Sequence, residues 1–254
     1  MSKYLDFISD EKLLNAIENL YKTYDRSFLR KSLKELNKNI MDPFKFQFDT
    51  IFLNQGNATV TMNSEIFRQS DKSISNAIGL FHQQLLGSID GFCETPELPC
   101  DVKKCDNTIF AEIKNKHNTM NVRSAAGVYE ELEGLAKSYP QANLYLVEII
   151  AKKSTDEVWE QTINEKKLSH PRIHKISADK FYELATGKKN AFKQLCEVLP
   201  IAIEDFIKLN NLEEKLIGDK KQKKHHKISE IEDQVDKEII DEIFNNSFKS
   251  YFGF

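Results

Sequence analysis

The pattern of apolar and polar positions predicts helices at both ends of the chain and a mixture of helices and strands between them. Apolar residues recur at helical spacing in six stretches: residues 10–38, 73–86 and 121–139, a stretch with Phe181, Tyr182 and Leu184 that Ser177 and Asp179 cap and Gly187 ends, and residues 189–209 and 228–254. Asp10 is a candidate cap for the first stretch, and Pro200 predicts a kink or a break in the fifth. The last stretch carries an apolar stripe, which must either pack back on its own domain or form a subunit contact.

Short apolar runs predict strands in the middle of the chain. They cover residues 44–53, 99–104, 108–114 and 143–151 and a run that begins at His174. Asp106-Asn107 is a turn signal, so we expect the second and third runs to form a hairpin. The helix over 121–139 and the strand after it predict a crossover to a parallel neighbour. Residues 154–172 are mixed and polar and predict a loop-rich segment.

One predicted strand ends in a carboxylate and an amine two residues apart, in the run Phe110-Ala-Glu-Ile-Lys-Asn-Lys-His-Asn-Thr119. Alternate side chains of a strand share a face, so Glu112 and Lys114 project together while Ile113 turns into the core. Charges on a buried strand are costly unless they are neutralised, hydrated or bound to a metal. The last of these arrangements is typical of nucleases. The triplet occurs often by chance, so its surroundings decide its meaning.

A second carboxylate is expected beside this pair. Asp101 opens the first strand of the predicted hairpin and Glu112 closes the second, so antiparallel pairing brings them towards one end of the sheet. Asp90 and Asp106 compete with Asp101 for this place. We favour Asp101 because it begins a strand that can pair with residues 108–114, whereas Asp106 belongs to the turn.

These residues resemble the PD-(D/E)XK nuclease superfamily, with Pro99-Cys-Asp101, a spacer of ten residues and Glu112-Ile-Lys114 as the motif. One residue separates the Pro and the Asp that are adjacent in the family's name. Over roughly residues 70 to 210, the order of the motif, the helix after it and the strand at 144–150 resembles a type II restriction endonuclease. The run from Glu112 to Thr119 most resembles the subgroup that cuts interrupted G/C palindromes of the GGNCC kind.

The resemblance implies an α/β fold, namely a restriction-endonuclease-like core in which helices flank a central mixed β-sheet, with helical N- and C-terminal appendages. It implies three segments. Residues 1–70 form a helical arm and a strand packed on the core, residues 71–210 form the nuclease core, and residues 211–254 form a basic linker and an amphipathic C-terminal helix.

The resemblance also implies metal-assisted phosphodiester hydrolysis. Asp101, Glu112 and the carbonyl of Ile113 would hold Mg²⁺, a hard cation that prefers oxygen ligands. Lys114 would lie beside the attacking water, where it would act either as a base or as an electrostatic clamp.

Candidate DNA contacts follow the motif and recur on a later strand. They are basic, amide or hydroxyl side chains: Asn115, Lys116, His117, Asn118, Thr119, Asn121, Arg123, His174 and Lys175. Phosphates bind to basic groups and to helix N-termini. The alternatives are helix capping for Asn118, Thr119 and Asn121, and a plain exposed position for the two strand residues. The basic run at 220–227 is predicted first as a solvated linker and second as a DNA backbone contact.

Composition narrows the possible classes of protein. The net charge of −3 disfavours a general polyelectrolyte binder, so DNA binding requires a local positive cleft. No apolar stretch reaches the ~20 residues of a membrane helix, and the first residues lack the apolar core of a signal peptide, so we expect a cytoplasmic protein with no membrane partner. Its four cysteines are expected to be reduced thiols. Three of them, Cys93, Cys100 and Cys105, could alternatively bind zinc, although their spacing contains no CxxC pair.

Double-stranded DNA is the expected partner. A homodimer would match a palindromic site, because a two-fold protein fits two-fold DNA. A cognate DNA methyltransferase is the expected genetic partner. Two alternatives remain, namely a structure-specific repair or recombination nuclease of the same superfamily and a non-catalytic DNA-binding module.

Overall fold

The computed structural model of the chain describes residues 2–28, 41–163, 166–212 and 230–254, and the side chains of all of these except 27, 28, 163, 166 and 230–237. The chain forms two compact units. One comprises Met1–Ile17 and His82–Phe254, and the other comprises Glu18–Phe81. The division into segments 1–70, 71–210 and 211–254 stays a prediction.

The first unit contains a mixed sheet of six strands among the described residues. The strands are β1 (Phe92–Glu94), β2 (Val102–Lys104), β3 (Ile109–Lys116), β4 (Asn143–Ile150), β5 (Asp156–Ile163) and β6 (Lys166–Ser177). Their order is β1-β2-β3-β4-β6-β5, and β3, β4 and β6 are parallel to one another. The α/β fold, the β2–β3 hairpin and the parallel crossover to β4 are therefore confirmed.

The described helices are α1 (Asp10–Phe28), α2 (Pro43–Phe48), α3 (Ala58–Gly87), α4 (Val122–Ser138), α5 (Ala178–Thr186), α6 (Ala191–Leu209) and α7 (Glu230–Phe248). Helix α3 begins earlier than predicted, and α6 continues through Pro200 as one element. Residues 29–38 of the first predicted helix and the basic run 220–227 lie outside the described residues. None of the helices among the described residues combines the length and the apolar character that a membrane span requires.

The predicted strand at 44–53 is wrong. These residues form α2 and the π-helical turn Asp49–Leu53 that follows it. The side chain of Asp42 accepts hydrogen bonds from the backbone N–H groups of Phe44 and Lys45, at 2.9 and 3.2 Å, and Pro43 occupies the first turn. This N-terminal helix signal outweighs the alternating phenylalanines, and Phe48 stacks on Phe52 four residues later, at helical spacing.

The predicted loop over 154–172 is also wrong, because β5 and most of β6 occupy it. The two strands pair antiparallel with a register shift between Val158 and Glu160. A bulge interrupts the alternation of side chains, so the sequence lacks a strict period of two. Trp159 lies at this irregularity and packs edge-on against Tyr129 of α4, with ring centroids 5.3 Å apart.

One face of the sheet packs against α4. The shared cluster contains buried side chains of β3, β4, β6 and α4: Phe110, Leu144, Leu146, Ile173, Tyr129, Leu132, Leu135 and Ala136. The Arg172 guanidinium on β6 donates hydrogen bonds to the carbonyls of Ala136, Tyr139 and Ala142, at the C-terminal end of α4. The bond to Ala136 satisfies a carbonyl that the helix end leaves open, and the three bonds together join the end of α4 and the turn after it to β6.

The C-terminal segment packs on its own unit. Phe192 of α6 contacts the rings of Phe248, Tyr251 and Phe254, with centroids 5.1, 5.6 and 6.2 Å away. The Tyr251 hydroxyl donates to the Ile149 carbonyl and accepts from the Ala151 N–H, both at 2.8 Å. The sequence left two possibilities for the C-terminal apolar residues, packing on their own domain or a subunit contact. The aromatic end of the segment packs on its own domain.

Candidate active site

The β2–β3 hairpin brings Asp101 beside Glu112. The Asp101 N–H bonds the Ala111 carbonyl at 3.0 Å, just before the Val102–Ala111 pair of the ladder. One carboxylate oxygen of Asp101 accepts from the Ile113 N–H at 2.7 Å, and the other accepts from Nε2 of Gln83 on α3, also at 2.7 Å. Both oxygens are thus fixed in direction. Polar residues of a helix are usually solvated, so the approach of Gln83 to this site departs from the commoner pattern.

Glu112 and Lys114 share a face of β3, as predicted. The Lys114 ammonium donates to Oε1 of Glu112 at 2.5 Å, and both side chains are largely but not fully buried. Burial and then the neighbouring Asp101 carboxylate raise the pKa of Glu112, and the Lys114 ammonium opposes this rise. Negative charge is therefore concentrated here beyond what a single ammonium neutralises.

The competing aspartates lie elsewhere. Asp106 accepts hydrogen bonds from Thr108 in the β2–β3 turn and contacts Lys104 at 3.0 Å. These bonds hold the pKa of Asp106 at about 2. Asp90 is exposed in the turn before β1. Only Asp101 of the three has contacts with both β3 and Glu112.

The donor set suits a hard cation. Asp101 and Glu112 provide carboxylate oxygens, Ile113 between Glu112 and Lys114 provides a carbonyl, and Mg²⁺ commonly combines one or two carboxylates with waters and substrate oxygens. Within the described ranges, no three His, Cys, Asp or Glu side chains group closely enough to share an ion. Two carboxylates, a carbonyl and water are thus the donors available. Cys93, Cys100 and Cys105 are free thiols, and burial raises the pKa of Cys100 to about 11.

The face of Glu112 and Lys114 continues onto the neighbouring strands. Lys114 pairs in register with Glu148 of β4, and Leu146 pairs with Lys175 of β6. Glu148 is buried, and its Oε1 lies 3.3 Å from the Lys175 ammonium. Sequence reasoning missed Glu148. Its one signal is a carboxylate within the otherwise apolar run Leu144-Tyr-Leu-Val-Glu-Ile-Ile150.

The connection from β3 to α4 presents most of the predicted DNA contacts to solvent. The exposed residues are Lys116, His117, Asn118, Thr119, Asn121 and Arg123, and Asn115 is half-buried. Asn121 caps α4 by accepting from the Ser124 N–H at 2.9 Å, and the Thr119 hydroxyl donates to the Lys116 carbonyl at 2.9 Å. Asn121 and Thr119 therefore make local hydrogen bonds of the capping kind, and both residues are still exposed to solvent.

His174 and Lys175 lie on opposite faces of β6, as neighbours in a strand must. Lys175 shares the face of Glu112 and Lys114. His174 contacts an Asp156 oxygen at 2.7 Å and lies against Tyr145, with ring centroids 5.6 Å apart. The structure therefore brings only Lys175 of this pair to the face of the carboxylates.

Comparison with known proteins identifies the chain's relatives. A model of the Eco47II restriction endonuclease family matches residues 5–208. The chain is 40% identical over 215 residues to the type II restriction enzyme Sau96I of Staphylococcus aureus, covering 81% of this chain and 82% of the relative. It is 32% identical over 210 residues to the type II restriction enzyme Eco47II of Escherichia coli, covering 79% and 87%. The chain therefore belongs to the Eco47II restriction endonuclease family, and its activity is that of a type II restriction enzyme, a site-specific deoxyribonuclease.

Proposed function

We propose that this enzyme hydrolyses phosphodiester bonds in both strands of a short palindromic duplex site with Mg²⁺, using Asp101, Glu112 and Lys114. The observation that carries the proposal is the contact of two carboxylates and an ammonium at β3 of the central sheet. Type II restriction endonucleases generally use divalent metal ions, and the oxygens of Asp101, Glu112 and Ile113 fit such an ion.

Each group has a distinct part in the proposed reaction. Bound Mg²⁺ would supply Lewis-acid stabilisation of a phosphate oxygen. Gln83 and the Ile113 N–H keep the Asp101 carboxylate in one orientation before substrate arrives. Lys114 favours hydroxide in the attacking water and stabilises negative charge that develops on the phosphate.

The exposed β3–α4 connection supports backbone contacts to DNA. We propose that Lys116, His117 and Arg123 contact phosphates, and that Asn118 and Thr119 add hydrogen bonds beside the N-terminus of α4, which Asn121 caps. Lys175 and half-buried Asn115 would contact DNA closer to the carboxylates. His174 has the least support as a DNA contact, because it lies on the other face with Asp156.

The target and the assembly extend this proposal. We propose an interrupted G/C palindrome of the GGNCC kind, a homodimer whose two sites cut the two strands, and a cognate methyltransferase that protects host DNA. A cytoplasmic location suits an enzyme that acts on DNA in the cell.

The test is digestion of unmethylated duplex DNA by purified enzyme, with Mg²⁺ or with EDTA, followed by sequencing of the ends. We expect discrete fragments only with Mg²⁺, and ends that share one short symmetric sequence. Cutting confined to ends, junctions or lesions would favour a repair nuclease. Intact DNA in every reaction, with the protein shown to be folded, would contradict the proposed cleavage.

A further inference from the structure

Glu148 is a buried carboxylate to which the proposed reaction assigns no part. The residue is 3% exposed, and no described group makes a hydrogen bond to its buried Oε1. The Lys175 ammonium at 3.3 Å provides a charge contact without the geometry of a hydrogen bond. A buried, incompletely bonded carboxylate is costly, so its presence in the middle of a sheet requires an explanation.

The sheet places Glu148 between two lysines of this face, Lys114 and Lys175. Lys114 of β3 is its register partner, so both side chains project from the same face of adjacent parallel strands, about 4.8 Å apart along the hydrogen-bonding direction. Lys175 lies on the other side, on β6. The long Lys114 side chain can therefore reach Glu148 by rotation about its own bonds.

Glu148 does not group with Asp101 and Glu112 as a third metal ligand in this structure, because the described residues contain no set of three such side chains close enough to share an ion. Its charged neighbours on the sheet face are lysines, so the chemistry that its surroundings favour is acceptance of an ammonium.

Lys114 needs a second acceptor if Glu112 binds a cation. In this structure the Lys114 ammonium occupies Oε1 of Glu112, one of the oxygens that an ion would use. A cation bound through that oxygen would repel the ammonium, so the ammonium would be displaced from Oε1. The acceptor on the same face of the adjacent strand is the open oxygen of Glu148.

We propose that Glu148 is a positioning residue that receives the Lys114 ammonium when Glu112 turns to the metal ion. This inference rests on the proposed function, because it takes Glu112 to be a metal ligand. Glu148 thereby lowers the cost of metal binding and keeps Lys114 inside the site.

The test is Mn²⁺ affinity of the full-length protein without DNA, measured by titration calorimetry in a double-mutant cycle. Glu148→Gln is expected to weaken Mn²⁺ binding by about tenfold, within the range of typical coupling between sites. In a Lys114→Met background no ammonium needs an acceptor, so the same substitution is expected to have little effect. Glu160→Gln is the matched control, because Glu160 pairs with Lys167 at 2.7 Å in the same sheet but away from the site.

Three outcomes would overturn the inference. An equal loss in both backgrounds means that Glu148 attracts the ion through space. If Glu148→Gln weakens Mn²⁺ binding in the Lys114→Met background but not in the Lys175→Met background, Glu148 acts through the Lys175 ammonium and not through Lys114. Unchanged affinity in Glu148→Gln removes any role in metal binding. If Glu148→Gln does not fold, Glu148→Asp, which keeps the charge but shortens its reach, replaces it in the cycle, and an unchanged affinity there counts equally against the inference.

Glu112→Gln separates this inference from the proposed function. Loss of Mn²⁺ binding in Glu112→Gln, together with normal binding in Glu148→Gln, rejects only the role of Glu148. Normal Mn²⁺ binding in Glu112→Gln rejects the proposed metal site itself.

Discussion

Glu112→Gln is expected to lower the single-turnover cleavage rate by about 10³-fold or more, the scale of loss when a central catalytic group is removed. The amide keeps the size of the side chain and can still accept from Lys114, but it lacks the charge that would hold a divalent cation beside Asp101. Glu160→Gln is expected to cut at the wild-type rate, because the Glu160–Lys167 pair lies away from the carboxylates.

The same substitution is expected to stabilise the folded chain. Burial and Asp101 raise the pKa of Glu112, so the folded state disfavours its charged form. The stability that this group contributes is present below its unfolded pKa and is lost as the pH rises through the higher folded pKa. A neutral amide is therefore expected to raise the free energy of unfolding at neutral pH, measured by urea denaturation. Lower stability together with lost cleavage would indicate that Glu112 supports the fold instead of the reaction.

Phe192→Ala is expected to lower the free energy of unfolding by about 3–5 kcal/mol, the usual cost of deleting a buried aromatic side chain. Phe192 is 2% exposed, and its ring contacts Tyr182 of α5 as well as Phe248, Tyr251 and Phe254. The cavity would remove the packing that holds the C-terminal segment against the end of β4. Urea denaturation measures the stability loss, and limited proteolysis measures release of the segment.

The matched control for this prediction is Phe252→Ala. Phe252 lies in the same segment but is 51% exposed, so its truncation is expected to change the free energy of unfolding only slightly. Equal destabilisation by the two substitutions would contradict the assignment of Phe192 as the centre of the aromatic cluster.

Local sequence signals predicted the parts of the fold that bonds between near neighbours determine. The Asp106-Asn107 turn fixed the β2–β3 hairpin, and with it the approach of Asp101 to Glu112. Asn121 was predicted at the start of α4 and forms its cap. The strand prediction for 44–53 failed because Asp42 and Pro43 favour a helix over alternation. The strand β5 was not predicted, because the bulge near Trp159 interrupts the alternation of apolar and polar side chains.

The missed part of the candidate site depends on long-range register. Lys114 and Glu148 are 34 positions apart in sequence, and only the pairing of β3 with β4 places them together. Gln83 also contacts Asp101 through tertiary packing, because it lies in the last turns of α3 and the two residues are distant in sequence. A single sequence shows which residues are unusual for the helix or strand in which they lie. It does not show which residues of two paired strands are register partners.

The most direct test of the account is cleavage of the mapped duplex site by Lys114→Ala beside the wild-type enzyme, with Mg²⁺ in both reactions. We predict that Lys114→Ala binds the same duplex with similar affinity but yields no discrete fragments on the timescale of complete wild-type digestion. Wild-type cleavage by folded Lys114→Ala, at the same site and rate, would contradict the assignment of Asp101, Glu112 and Lys114 as the catalytic centre.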